Sequence, residues 1–470
     1  MEKKEQVFTP DDYVIELLNI VEYRDSLFGK KILENSCGDG QILKEVVKRY
    51  IEDCRKNHIA DEEIIKGLSE DLYGFEIDNK QIKKCVSNLD KVARQYKLYN
   101  IHWNIHNLDF LRWKSQLKFD YVVGNPPYIT YRDLKMVDRQ FVRENFKTCQ
   151  YGKFDYYYAF VEKSINMLKE SGKMSYLIPS SIFKTVFGKE LRNFILPHLK
   201  AILDFSDVDV FENALVKSSI LYLEKNSNLK TFRYEKRSNN IIKQLIKARL
   251  EGKWQFSSFE NNKKNRFGDF YKVSHSVATL YNKAFVLKDN ITINDNGQLF
   301  VEGILLENDL IRIAYSPRSV CYNKQEKIIF PYETVSGNIK HIKEDKLKTK
   351  YPGVFKYLRK YYAELLRRKS DKTAQWFEYG RSQAINNLNC SKLLLSTVVT
   401  HQLNIAKIGY DSVPYSGLFI RAIDEEQFSL DRAMSILKSS EFFEYVKQIG
   451  IPINGQSFRI TSRDIENYKF

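Results

Sequence analysis

Over residues 30–179, short apolar runs alternate with stretches of helical periodicity, and this repetition narrows the fold more than any other feature of the chain. "KKILENSC" is an apolar run ending in a turn. "QILKEVVKRYIEDCRK" follows, with Ile42, Val46, Val47 and Tyr50 at helical spacing. "DLYGFEID" and "NKQIKKCVSNLDKVARQY" repeat the pair, and "NIHWNIHNLDF" and "FDYVVGN" supply a third and a fourth strand. "FDYYYAFVEKSINMLKESG" predicts a helix stopped at Gly172, and "KMSYLIP" predicts the strand after it. Strands separated by helices pair in parallel, because parallel neighbours need a long crossover. The expected fold is therefore α/β, a doubly wound and mostly parallel sheet. "AILDF" and "SSILYLE" flank a loop and predict an antiparallel hairpin closing the edge of that sheet.

The rhythm stops at a polar stretch around residues 224–230. Beyond it the segments are short and mixed, with helical signals at "VFKYLRKYYAELLRRKSDK" and "LDRAMSILKSSEFFEYVKQIG". Two domains are expected, 1–230 and 231–470, the second of mixed α+β type. Residues 1–225 hold 35 Lys+Arg against 34 Asp+Glu, and residues 226–470 hold 40 against 25. A basic module beside a neutral one suggests a polyanion partner for the basic part. The six cysteines are scattered without a CxxC pair, so free thiols are expected and neither a disulfide framework nor a metal site. No apolar run reaches membrane-spanning length and "MEKKEQVFTP" lacks an apolar leader core, so a cytoplasmic protein is expected.

"ENSCGDG" follows the first strand and opens a helix. Gly38 and Gly40 allow a tight turn and close approach of a ligand. Glu34 and Asp39 flank the loop and no lysine lies in it, which disfavours a phosphate and suits a positively charged group such as an ammonium. Glu76 ends the second strand, where an acid accepts both hydroxyls of a ribose. "NLDF" supplies Asp109 as an acceptor for an exocyclic amine and Phe110 as a ring to stack. All of these stand at carboxyl ends of parallel strands, where such sheets bind ligands. A nucleoside joined to an amino-acid group is S-adenosyl-L-methionine.

"VVGNPPYIT" then places Asn125, Pro126, Pro127 and Tyr128 directly after the fourth strand. The exocyclic amine of adenine is a poor nucleophile because its lone pair is delocalised into the ring. Two acceptors aimed at its two hydrogens, the Asn125 side-chain carbonyl and the Pro126 backbone carbonyl, shift electron density back onto the nitrogen. Prolines fix φ and remove a competing N–H, so the acceptors are preorganised. Tyr128 can stack on the base, which must leave the duplex to reach such a pocket.

In this order the motifs resemble the gamma-class N6-adenine DNA methyltransferases, with a layout nearest to the TaqI type, over about residues 6–225. The resemblance implies a Rossmann-like, seven-stranded S-adenosylmethionine-dependent methyltransferase domain followed by a DNA target-recognition domain. It places Thr9 and Pro10 over the methionine end of the cofactor, Glu34, Ser36, Cys37, Gly38, Gly40 and Ile77 around it, and Glu76 at its ribose. It puts Asp109 and Phe110 at the cofactor adenine and Asn125, Pro126, Pro127 and Tyr128 at the target adenine. "DVFENALVKSSILYLEK" resembles the late motif whose aromatic residue sandwiches the flipped base, implying Phe211. "KFDYYYAFVEK", Lys153 to Lys163, matches a further stretch of the catalytic domain. Asn35 stands where the family has proline, and the loop after Phe211 is about one residue longer than that pattern.

The implied reaction is methyl transfer to the adenine N6 of double-stranded DNA, within a restriction–modification or related system of a prokaryote or phage. A monomer is expected, with no membrane association and with any cognate restriction endonuclease acting separately. The competing readings are RNA adenine methylation, protein glutamine N5-methylation, and a target-recognition subunit whose catalytic site has decayed. In the second half, "QWFEYGRSQAI" resembles part of the TaqI-type specificity domain, implying DNA contacts from Trp376, Tyr379, Arg381 and Gln383. Arg359, Lys360, Arg367, Arg368 and Lys369 lie in a helical stretch and are candidates for phosphate contact.

Overall fold

The computed structural model describes residues 9–206, 217–250, 252–256, 263–288, 291–335, 338–453 and 457–470. Two units are separated, Met1–Ser257 and Ser258–Phe470.

The first unit runs α1 (Asp11–Ile20), β1 (Ile32–Glu34), α2 (Gln41–Lys56), α3 (Asp61–Asp71), β2 (Leu72–Glu76), α4 (Asn79–Gln95), β3 (Asn104–Asn107) and β4 (Phe119–Gly124). It continues with α5 (Met136–Asn145), α6 (Tyr157–Met167), β5 (Leu168–Pro179), α7 (Lys189–Ile195), β6 (Leu199–Asp204), β7 (Ser218–Glu224), β8 (Thr231–Lys236) and β9 (Ile241–Ile246). The strands form one sheet in the order β3-β2-β1-β4-β5-β7-β6-β8-β9. β3, β2, β1, β4 and β5 are mutually parallel, as the alternation predicts. The pleat sends Leu33, Val122 and Ile178 into the core on one face, and Ile32, Val123 and Leu177 into the core on the other. α2 covers the second face with Ile42, Leu43, Val46, Val47, Tyr50 and Ile51.

Three features depart from the sequence-based expectation. The β6–β7 pair is present, but it does not close the edge. β7 is inserted antiparallel between β5 and β6, and β8 and β9 extend the sheet to nine strands. Because β8 pairs with β6 and β9 pairs with β8, residues 231–246 belong to the first unit, and the boundary expected at 230/231 lies at 257/258. Trp254 consolidates this by stacking on Phe183, with ring centroids 5.8 Å apart. Residues 226–257 carry eight Lys+Arg against two Asp+Glu, so the units have net charges of +7 and +9 rather than a neutral and a basic half.

The helix expected to reach Gly172 ends at Met167 instead. Leu168 is extended and pairs with Phe119, Ser171 takes φ 60°, and the register slips between Phe119 and Tyr121. Strand pairing overrides helical spacing at this end of α6.

The second unit is mixed α+β, as expected. Tyr271–His275, Leu418–Ala422, Lys392–Leu395 and Ile405–Ile408 form one antiparallel sheet. Val286–Leu287, Glu326–Ile329, Ile311–Tyr315 and Val413–Pro414 form another. Each expected helical stretch is divided, into Pro352–Arg359 and Tyr362–Leu366, and into Leu430–Lys438 and Ser440–Ile449. Among the described residues no helix is long and apolar enough to cross a membrane.

Candidate active site

β1 lies between β2 and β4, so the loops leaving β1 and β4 diverge and open a crevice at the carboxyl ends of the strands. Glu34 closes β1 and is 3 % exposed. Burial pushes its carboxyl well above the usual range, Cys85 and Asp39 add to the rise, and the Leu43 backbone N–H draws it partly back. Asn35 anchors the loop by tertiary bonds. Its amide donates to Ser164 Oγ at 2.8 Å and to the Tyr176 hydroxyl. Ser36 Oγ donates to the Asn125 carbonyl at 3.0 Å, tying the β1 loop to the β4 loop. Cys37 is buried beside Cys85, whose thiol, together with burial, pushes the Cys37 thiol well up. Gly40 is left-handed at φ 86° and its backbone presses on α4, where a Cβ would lie 2.7 Å from Cys85 Sγ.

Glu76 is oriented by three backbone donors. Gly38 N reaches one oxygen at 3.1 Å, and Ile77 N and Asp78 N reach the other at 2.8 and 2.9 Å. A carboxylate held in this way keeps lone pairs for a diol. Ile77 stands 72 % exposed beside it. Asp109 accepts from Leu111 N at 2.9 Å and pairs with Arg112 Nε at 3.2 Å. Phe110 is 1 % exposed, turned into the core against Phe75 and Phe160 rather than standing open as a stacking platform.

Asn125 follows β4. Its amide nitrogen donates to Thr9 Oγ1 at 3.2 Å, and its buried side-chain oxygen has no partner among the described residues. Pro10 is exposed and caps α1, its carbonyl accepting from Tyr13 and Val14. Pro126 is buried and Pro127 half-buried. The Pro127 carbonyl is taken by Ile129 N at 3.1 Å. Tyr128 packs edge-on against Tyr157 at 6.0 Å, and its hydroxyl donates to the Leu177 carbonyl at 2.8 Å. Burial pushes that hydroxyl's pKa well up. Phe211 lies outside the described residues.

Three further residues near these loops lie in the Lys153–Lys163 stretch, to which the resemblance assigns no individual roles. Lys163 Nζ donates to the Phe110, Leu111 and Trp113 carbonyls at 2.5, 3.1 and 2.5 Å and clamps the turn after β3. Burial lowers its ammonium to about 8. Asp155 precedes α6 and is tied to the β4 loop through Tyr156 N, which donates to the Ile129 carbonyl at 2.9 Å. Burial raises its carboxyl to about 6. Tyr157 is buried with its hydroxyl unpartnered among the described residues. All three lie in "KFDYYYAFVEK", whose composition reads as core and carries no sign of these contacts.

Four buried side-chain oxygens at these loops lack a donor among the described residues: Glu34 Oε2, Asn35 Oδ1, Asp39 Oδ1 and Asn125 Oδ1. Unpaired buried acceptors cost about 1–3 kcal/mol each. A cation bearing N–H groups would satisfy the three of the β1 loop, and the ammonium of S-adenosylmethionine fits them. No group of three or more potential metal ligands occurs among the described residues.

In the second unit Tyr379 is fully buried and its hydroxyl donates to the Ile329 carbonyl at 2.8 Å, so it is a core residue and not a groove contact. Trp376 is half-buried, its indole N–H on Glu344 at 2.9 Å. Arg381 is exposed but paired with Asp371 at 2.6 Å, and Gln383 is exposed. Arg368 is also structural. Its guanidinium donates to the carbonyls of Thr279, Leu365, Trp376 and Glu378.

The crevice thus gathers buried acceptors at the carboxyl ends of β1 and β4. Residues 26–211 match the Eco57I restriction-modification methylase family model. The chain is 26% identical over 332 residues to the type II restriction enzyme and methyltransferase RM.Eco57I of Escherichia coli, covering 61% of this chain and 33% of that protein. It is 28% identical over 238 residues to the type II methyltransferase M.BstVI of Geobacillus stearothermophilus, covering 47% and 42%. It is 31% identical over 190 residues to the modification methylase CviBIII of Paramecium bursaria Chlorella virus NC1A, covering 40% and 41%. The chain thus spans between a third and about two fifths of the length of these relatives. By fold it is similar to the type IIL restriction-modification enzyme MmeI, solved in complex with DNA, at a TM-score of 0.63 and 13% identity over 97% of this chain and 64% of that one.

Proposed function

We propose that this protein is a site-specific DNA adenine N6-methyltransferase of a restriction–modification system, acting as a monomer in the gamma-class, TaqI-like manner. The observation that carries the reading is the Asn125 side-chain oxygen, buried at the end of β4 without a donor, directly before the rigid Pro126–Pro127 pair. Similarity to restriction–modification methyltransferases over residues 26–211 supports the same reading.

S-adenosylmethionine, when bound, supplies an electrophilic methyl group on its sulfonium. Glu34, Asn35 and Asp39 would meet its ammonium and Glu76 its ribose. Asp109 and the exposed Ile77 would lie at its adenine. Asn125 Oδ1 and the Pro126 carbonyl accept the two hydrogens of the target amine and return its lone pair to nitrogen, which positions and polarises the nucleophile without a strong base. Tyr128, held by its hydroxyl on Leu177, would pack on the flipped base. The second unit would read the sequence, with Arg381 and Gln383 as the exposed members of the expected contact set.

Sequencing by polymerase kinetics of DNA from a methylase-free host expressing the full chain tests the proposal. N6-methyladenine confined to one motif is the expected result. Unmodified adenine from folded, cofactor-binding protein would overturn it.

A further inference from the structure

Between Tyr128 and α6 the chain makes an arm that the site does not use. Residues Ile129–Lys153 contain Arg132, Lys135, Arg139, Arg143, Lys147 and Lys153 against Asp133, Asp138 and Glu144. The acids are already engaged. Asp138 pairs with Arg112 at 3.1 Å, Asp133 accepts from the Thr130 hydroxyl at 2.8 Å, and Glu144 accepts from Gln140 at 2.9 Å. The arm's cations are not neutralised. Among the described residues Arg132, Lys135, Arg139, Arg143 and Lys153 form no ion pair.

Two of these cations are held ready. Arg139 and Arg143 lie 4.8 and 5.5 Å from the centroid of the Tyr131 ring, which is itself braced edge-on by buried Phe154 at 5.3 Å. Arg139 donates to the Arg132 carbonyl at 2.7 Å and Arg143 to the Gly152 carbonyl at 2.9 Å. Stacking and one bond each restrict these guanidiniums and leave the remaining donors of each fork unused. Arg139 Nε is buried with no partner among the described residues. Tyr151, 74 % exposed, stands one residue from the Gly152 carbonyl that Arg143 holds. The root of the arm is fixed to the candidate active site, because Ile129 accepts from Tyr156 N at 2.9 Å.

We infer that this arm is a second DNA-binding surface, on the catalytic unit itself, whose stacked arginines and exposed cations grip phosphates flanking the target base. The inference rests on the proposed DNA substrate. The arm's own charge supports it, six Lys+Arg against three Asp+Glu over Ile129–Lys153. Ring-stacked guanidiniums without carboxylate partners suit phosphate oxygens, which they meet two at a time.

The test is the salt dependence of duplex binding by the full chain. The R132A/K153A variant removes two exposed side chains that make no hydrogen bond, ion pair or ring contact among the described residues, so its melting midpoint and cofactor affinity should match wild type. Its slope of log K against log salt should be shallower by about 1.8, one phosphate for each cation lost. The R139K/R143K variant keeps charge but loses the fork, and should retain the slope while binding more weakly. Wild-type slope and affinity in both variants would overturn the arm while leaving the methyltransferase reading intact. A wild-type protein that binds cofactor but no duplex would overturn both.

Discussion

Asp155 offers a prediction whose size follows from burial. Its carboxyl sits between the β4 loop and α6, and burial raises it from 3.8 to about 6. No hydrogen bond to its side chain offsets that burial among the described residues. The native state therefore binds the Asp155 proton more tightly than the unfolded chain does. Between about pH 4 and pH 6 the native state holds more protons, so stability falls as pH rises through that window. Above it the ionised carboxylate costs about 3 kcal/mol. Asp155→Asn removes the ionisation and nearly keeps the shape. At pH 8 the variant should be more stable by about 3 kcal/mol, a rise of about 6–12 °C in melting midpoint for a unit of this size. At pH 4 the two proteins should melt together. Melting followed by circular dichroism across pH 4–8 makes the comparison. A difference in midpoint that does not change with pH would refute the reasoning. On the proposed reading, which puts the nearby Tyr128 loop at the target base, such a penalty marks Asp155 as serving the site rather than stability. Methyl transfer by the variant should accordingly be slower even as its stability rises.

Asn125→Ala should abolish radiolabelled-methyl transfer while leaving cofactor affinity nearly unchanged, and turnover in that assay would remove Asn125 from the target amine. Burial raises the Glu34 carboxyl well above the usual carboxylate range, so a cationic cofactor bound beside it should draw that pKa back down. Calorimetry in two buffers of different ionisation enthalpy should then show proton release and an affinity that rises with pH, both absent in Glu34→Gln. Lys163→Met leaves the Phe110, Leu111 and Trp113 carbonyls without their donor and should destabilise the first unit by about 2–4 kcal/mol in urea titration. Tyr128→Phe loses one hydrogen bond, about 1 kcal/mol, and keeps the ring. It should therefore retain more turnover than Tyr128→Ala, and equal loss in both would assign the chemistry to the hydroxyl.

Strand–helix alternation, read from residues 30–125 alone, placed Glu34, Glu76, Asp109 and Asn125 at the carboxyl ends of neighbouring strands, because period and turn chemistry are local properties of a chain. "NPPY" was recognisable for the same reason, since two consecutive prolines fix their backbone wherever they stand. Tertiary structure decided what depends on distant partners. β7 enters between β5 and β6, β8 pairs onto β6 and β9 onto β8, and residues 231–257 with their charge pass to the first unit. Tyr379 reads as a groove contact in "QWFEYGRSQAI" but is buried, and Arg368 reads as a phosphate contact but binds four carbonyls. Lys163, Asn35 and Asp155 acquire their roles from residues dozens of positions away, on other strands and loops. Hydrophobic period records that a side chain is buried, but not what it is buried against, and burial against particular carbonyls and rings is what sets charge, orientation and pKa at this site.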